Sequence, residues 1–129
     1  GSPASSEILS AEIAVLAPTH TCFAFDTPGF GDSEPLPGAT VSIADLADAL
    51  ARTLEAIGMP PCVMYGSHTG AAIALEFGCR HPARCRGLVL DGASLLAEHI
   101  HPRPHPCMKR LHETKIVDRS PTPAFWICK

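Results

Sequence analysis

No stretch of the 129-residue sequence approaches the roughly 18 consecutive apolar residues of a membrane span, so no membrane association is expected. The six cysteines, Cys22, Cys62, Cys79, Cys85, Cys107 and Cys128, contain no C-x-x-C pair. That absence removes the usual zinc-ribbon and dithiol signatures, and several of the cysteines lie inside apolar runs. Free buried thiols of an intracellular, cytoplasmic protein are therefore expected, rather than a disulfide framework. Basic side chains are scarce early on. Residues 1–97 carry four against ten acidic ones, a formal −6, whereas residues 98–129 carry six against three, +3, which together give the net −3. No nucleic-acid partner is expected from such a balance. There is no internal repeat. Gly1 stands where a Met would start a chain, which fits either a removed leader or a tag remnant at Gly1-Ser2.

What is present is 46% hydrophobic and falls into regular segments. Ser5 or Ser6 is expected to cap a helix reaching about Leu16, with Ile8, Leu9, Ile13 and Leu16 on its apolar side. The run "THTCFAFD" reads as a buried strand ending near Asp26, and "DTPGFGDSEPLPG" as a loop. In "SIADLADALARTLEAIG", Ile43, Leu46, Ala47, Leu50, Leu54 and Ile57 recur at helical spacing. Ser42 caps this helix with Asp45 three residues on, Gly58 closes it, and Pro60-Pro61 prevent continuation. "CVMYG" is a second strand, "TGAAIALEFGCRH" a helix ended by Pro82, and "GLVLDGA" a third strand. His81 is expected to end its helix and His20 to sit at a strand edge. Strands without alternation, separated by helices, predict an α/β fold with a parallel sheet covered on both faces.

The pattern changes near Glu98. The last 32 residues hold four of the seven histidines and five of the thirteen prolines. We therefore divide the chain into a domain over 1–97 and an irregular basic tail over 98–129, in which only "AFWICK" has strand character. The tail is expected to be an altered or disordered end, as a shifted reading frame or alternative splicing would produce. Its "HIHPRPHPC" run lacks regular metal-ligand spacing, and no metal or cofactor is expected.

Chemistry points to the carboxyl ends of the strands, where the loops after Asp26, Gly66 and Asp91 meet. The segment "VMYGSHTGAAIAL" places Gly66 and Gly70 about a strand-to-helix turn, the context of a G-x-S-x-G nucleophile elbow. The centre of that frame is His68, and Ser67 lies one place early. Histidine is enriched among non-glycine residues with positive φ, so it suits the tip better than most.

Residues 1–93 resemble the α/β-hydrolase fold family in four segments. "GSPASS" is similar to the family's oxyanion loop without its leading histidine. "FDTPGFGDS" is similar to the D-x-P-G-x-G-x-S loop, carried by Asp26, Pro28, Gly29, Gly31 and Ser33. The elbow is Gly66 to Gly70, and "HPARCRGLVLDGA" matches the segment that follows it. The resemblance implies an incomplete α/β-hydrolase-type sheet, with His68 at the nucleophile position. It implies oxyanion donors in the backbone N–H groups of Ser2 and Thr69, and Asp91 as a weaker candidate for the acid. Ser67 is the less favoured nucleophile, and no segment matches the surroundings of the family's catalytic histidine.

Three functions follow as expectations. One is a hydrolase of small ester, epoxide or carbon–halogen substrates, incomplete and inactive as this chain. Another is a protein binding a small apolar or acyl-type ligand, or a partner, with the nucleophile lost. The third is an enzyme using His68 as a proton acceptor. The resemblance also implies that the strand between those matching residues 20–26 and 62–66 is missing. Marginal stability is then expected, unless the two strands close up, "AFWICK" substitutes, or copies associate through unpaired edges.

Overall fold

The computed structural model of the protein describes residues 9–91 and the backbone of a strand over 124–128. The longest helix, α2 (Ile43–Ala56), starts where local chemistry dictates. The Asp45 N–H donates to Ser42 Oγ at 3.1 Å, and the Ser42 N–H donates to Asp45 Oδ2 at 2.8 Å. This is a complete capping box, with Asp in the usual Glu place. The Ser42 hydroxyl, donating to Asp45 Oδ2 at 2.7 Å, and then the Ser42 N–H hold the Asp45 carboxyl below its ordinary range. The helix ends as Gly58 turns to φ +67. Ile57, expected on the apolar face, is instead the C-cap and 52% exposed, because the helix stops one residue before it.

The first helix, α1 (Ser10–Leu16), is shorter than expected. It has no side-chain cap, it buries none of its residues, and Ser5 and Ser6 lie outside the described residues. Strand β1 (Thr21–Phe25) follows, with His20 just before it. Strand β2 (Cys62–Ser67) leads into α3 (Thr69–Arg80), then a short 3-10 turn, Pro82–Arg84, and strand β3 (Cys85–Asp91). The last strand is β4 (Ala124–Cys128).

All pairings are parallel, and the sheet order is β1-β4-β2-β3. Thus β4 lies between β1 and β2. Phe23 is in register with Trp126, and Trp126 in turn with Met64. Of the three ways of filling the gap between those strands, the structure has the one in which "AFWIC" supplies the middle strand. The rest of the tail lies outside the described residues.

Helices α2 and α3 cover one face of the sheet. Leu50, Leu54, Ile73 and Phe77 enclose Cys62 and Met64, each less than a tenth exposed. Burying each large side chain stabilises by about 1.5–3 kcal/mol. Cys22, Cys62 and Cys85 are free thiols, as expected, but Cys79 is disulfide-bonded, so the expectation of free thiols fails there.

Asp48 on α2 joins the two helices. Arg80 donates to it through Nε at 2.9 Å and Nη2 at 2.6 Å, and His81 Nε2 lies 2.8 Å from Oδ1. The Arg80 and His81 hydrogen bonds lower the Asp48 carboxyl from 3.8 to about 2. The pair is screened, since its side chains are 43% and 32% exposed. Asp48→Asn should therefore lower the thermal midpoint at neutral pH by only roughly 2–5 °C. A depressed acid stabilises above its unfolded pKa, and that contribution disappears as pH falls through its folded value. The gap between wild type and variant should accordingly close between pH 3.8 and about 2. Melting curves across that range check it, and a gap that persists at the acid end would refute the assignment.

Candidate functional site

At the carboxyl end of β2 the chain turns directly into α3, with His68 between them. His68 has φ 51 and ψ −114, and is the one non-glycine residue with positive φ among the described residues. Such a conformation costs on the order of 1–3 kcal/mol and persists only where the surroundings fix it. Here the backbone is held on both sides. The His68 N–H donates to the Asp91 carbonyl at 3.0 Å, and the His68 carbonyl accepts from Ala71 N–H at 3.1 Å. Gly66 permits the turn to be this tight, because a Cβ there would lie 2.2 Å from the Gly70 carbonyl oxygen. Gly70 is buried against it.

The tip itself is open. His68 and Thr69 are exposed, and among the described residues the His68 imidazole has no hydrogen-bond partner. Thr69 is the first residue of α3, so its N–H has no intrahelical acceptor. It lies at the positive end of the helix dipole, where negative charge is favoured. The second donor named from the sequence, Ser2, lies outside the described residues.

Ser67 is half-buried and pairs with Asp91 across the β2–β3 ladder. Alternation along β2 sets Val63, Tyr65 and Ser67 on the sheet face opposite Cys62 and Met64. Its side chain therefore leaves the sheet away from the α2 and α3 layer. The Asp91 carboxylate accepts a hydrogen bond from the Tyr65 hydroxyl at 3.3 Å. Burial, then the negative charges of Asp91 and Glu12, push the Tyr65 phenol up, so this group donates and does not act as a base. The backbone of Asp91 thus supports the elbow while its carboxylate is engaged two residues back along β2.

The loop after β1 is ordered by Asp26. Its Oδ2 accepts from the Asp32 N–H at 2.9 Å, and its carbonyl accepts from Ser33 Oγ at 2.8 Å. Gly31 has φ +55, and a Cβ there would meet the Asp26 carboxylate. Gly29, at φ +87, donates its N–H to the carbonyls of Ser33 and Glu34. Beneath this loop lies a cavity of about 210 Å³, lined by Asp26, Thr27, Glu34, Leu46, Leu50 and Ile73 among others. His68 does not line it, so the cavity and the elbow are separate features.

Among the described residues no group of three or more His, Cys, Asp or Glu side chains is arranged to hold a metal ion, and no helix is long and apolar enough to cross a membrane. Two features escaped the sequence reading. Tyr65 as the partner of Asp91 is a contact between residues 26 positions apart. The Asp48–Arg80–His81 cluster joins helices whose spacing alone gave no sign of contact, although His81 was expected to end α3.

The chain belongs to the alpha/beta hydrolase fold family, whose profile matches residues 1–115. Among individual relatives, it is 34% identical over 80 residues to the protein named "Putative carbamate hydrolase RutD" of Variovorax paradoxus, covering 62% of this chain and 30% of that one. It is 31% identical over 104 residues to the poly(3-hydroxyalkanoate) depolymerase of Ectopseudomonas oleovorans, covering 81% of this chain and 36% of that one. The chain thus spans about a third of the length of these relatives. Among solved structures, it is similar to the N-acyl homoserine lactonase AidH complexed with N-butanoyl homoserine, with a TM-score of 0.50 and 30% identity, over 57% of this chain and 27% of that one.

Proposed function

We propose that the protein derives from a hydrolase of small ester-type substrates, and that this chain, with His68 in the nucleophile's place, does not carry out serine hydrolysis. The reading rests on one observation above the others. The tip of the strand-to-helix turn carries an exposed imidazole with no hydrogen-bond partner among the described residues, next to the first N–H of α3, which has no intrahelical acceptor. The names of the relatives support the substrate class, since they describe a carbamate, a polyester and a lactone as the compounds acted on. Epoxide and carbon–halogen substrates suit the same elbow less directly, because they develop no carbonyl oxyanion for Thr69 to receive.

Serine hydrolysis needs a base to take the hydroxyl proton and an acid to orient that base. Ser67 leaves the sheet on the Tyr65 side, and the Asp91 carboxylate there accepts a hydrogen bond from Tyr65 rather than from an imidazole among the described residues. A serine placed at the tip would have an N–H beside it and no base within reach among the described residues. Removing triad members costs several powers of ten in rate.

The test is the purified chain on a nitrophenyl ester, with Ser67→Ala, His68→Ala and His68→Ser beside it. All four should match the slow background of a histidine-rich control peptide, and His68→Ser should restore nothing. Saturable turnover lost in Ser67→Ala would overturn this reading. If the loss came in His68→Ala instead, His68 would be a working proton or acyl acceptor. Binding of a short acyl compound without turnover, lost on changing Thr69 to Pro, would mark the chain as a ligand-binding member of the family.

A further inference from the structure

The feet of β2 and β3, at the end of the sheet away from the elbow, bring two free thiols side by side. Cys62 and Cys85 are direct partners across the parallel ladder. Adjacent strands lie about 4.7–4.9 Å apart, inside the roughly 4.4–6.8 Å between Cα atoms that a disulfide spans. Both side chains pack into the apolar cluster under α2 and α3, hence on one face of the sheet. The ladder shifts register immediately afterwards, with Val63 facing Gly87, so Arg86 is the extra residue of a bulge. A bulge gives the backbone local slack at the rung where a bridge would form.

We propose that Cys62 and Cys85 are an oxidation site, forming a reversible disulfide that staples the foot of β2 to β3. In the reduced protein each thiol has another neighbour. Cys62 Sγ lies 3.9 Å from Met64 Sδ, and Cys85 Sγ donates to the Gly87 carbonyl at 3.3 Å. Forming the bridge requires each sulfur to leave that neighbour and turn to the other. Cys85 reacts first with hydrogen peroxide, because it is half-buried whereas Cys62 is 1% exposed. Its thiolate attacks the O–O bond, which breaks as an S–O bond forms and hydroxide leaves. The Cys62 thiolate then attacks that sulfur, the S–S bond forms, and a second hydroxide departs. With the two thiol protons these give two waters, so two electrons pass from sulfur to peroxide.

Burial holds both thiols in their protonated form. Cys62 is pushed up to about 11, by burial first and then by neighbouring Cys85, and Cys85 is raised by burial. Bridging should therefore be slow at neutral pH and quicken as pH rises, because the thiolate is the reacting species. The bridge closes a ring of roughly two dozen residues, a size that stabilises by restricting the unfolded chain.

Hydrogen peroxide on the folded full chain tests the assignment. The protein should lose the mass of two hydrogens. Peptide mapping should recover a Cys62–Cys85 link that dithiothreitol reverses, and the thermal midpoint should rise by roughly 5 °C or more. Cys85→Ala, at a half-buried site beside Gly78, should leave Cys62 alkylatable after unfolding. Sulfinic acid at Cys85 with Cys62 still a thiol, or a link from Cys85 to Cys79, would overturn the proposal.

Discussion

Gly66→Ala should destabilise the protein by roughly 4 kcal/mol or more, a large share of the about 5–15 kcal/mol that holds a domain together. The added methyl would stand 2.2 Å from the Gly70 oxygen, 2.4 Å from the Gly70 carbonyl carbon and 2.6 Å from the Ala71 nitrogen. All three atoms are backbone, in the first turn of α3, so relief requires moving a helix that is buried on Ala71, Ile73, Ala74 and Phe77. Gly78 on the same helix provides the control. There a methyl would lie 3.1 Å from Leu88 Cδ1 and 3.4 Å from Cys85 Sγ, both ends of side chains that can shift. Gly78→Ala should change stability by about 1 kcal/mol or less, the overpacking offset by better helix propensity. Urea unfolding followed by circular dichroism compares the two. Equal midpoints for the two variants would show that the strand-to-helix approach at the elbow has room for a methyl group.

The second large effect is expected from the middle of the sheet. Ile127 pairs with Ala24 on one side and Tyr65 on the other. Proline there removes a ladder N–H from a strand that has neighbours on both edges, a place where proline is essentially not found. Ile127→Pro should abolish the cooperative unfolding transition. Ala124→Pro, at the first residue of the same strand, should leave the transition in place with a lower midpoint. If Ile127→Pro unfolds with the wild-type midpoint, β4 does not hold the sheet together.

Elements fixed by neighbours in sequence were legible in it. The capping box at Ser42 and Asp45, the stop at Gly58 and the two strand–helix junctions all depend on residues within a few positions. So does the close approach at the elbow, set by Gly66 and Gly70, although the hydrogen bond that holds His68 there is accepted by Asp91, 23 residues on. The place of β4 was not legible beyond a list of options, because strand order depends on pairing partners about a hundred residues apart. The Tyr65–Asp91 and Asp48–Arg80–His81 contacts escaped for the same reason. Ile57 misled because apolar periodicity continued past the residue at which the backbone left the helix. Cys79 misled because spacing in sequence does not report which sulfurs meet.

The central place of β4 also bears on how the protein is made. Thr21 finds its ladder partner at Ala124, so the two are separated by most of the chain. A ribosome adds about 5–20 residues per second, so β1 waits roughly 5–20 s before the strand that pairs with it has been synthesised. Through that interval the edge of β1, joined by that of β2 once it too is made, presents unpaired N–H and C=O groups to whatever is nearby, a neighbouring nascent chain included. Folding that depends on so distant a pairing is slow even once synthesis is finished. Production at low temperature, where synthesis and encounters between chains are both slower, should therefore yield more soluble protein than a stronger promoter at higher temperature.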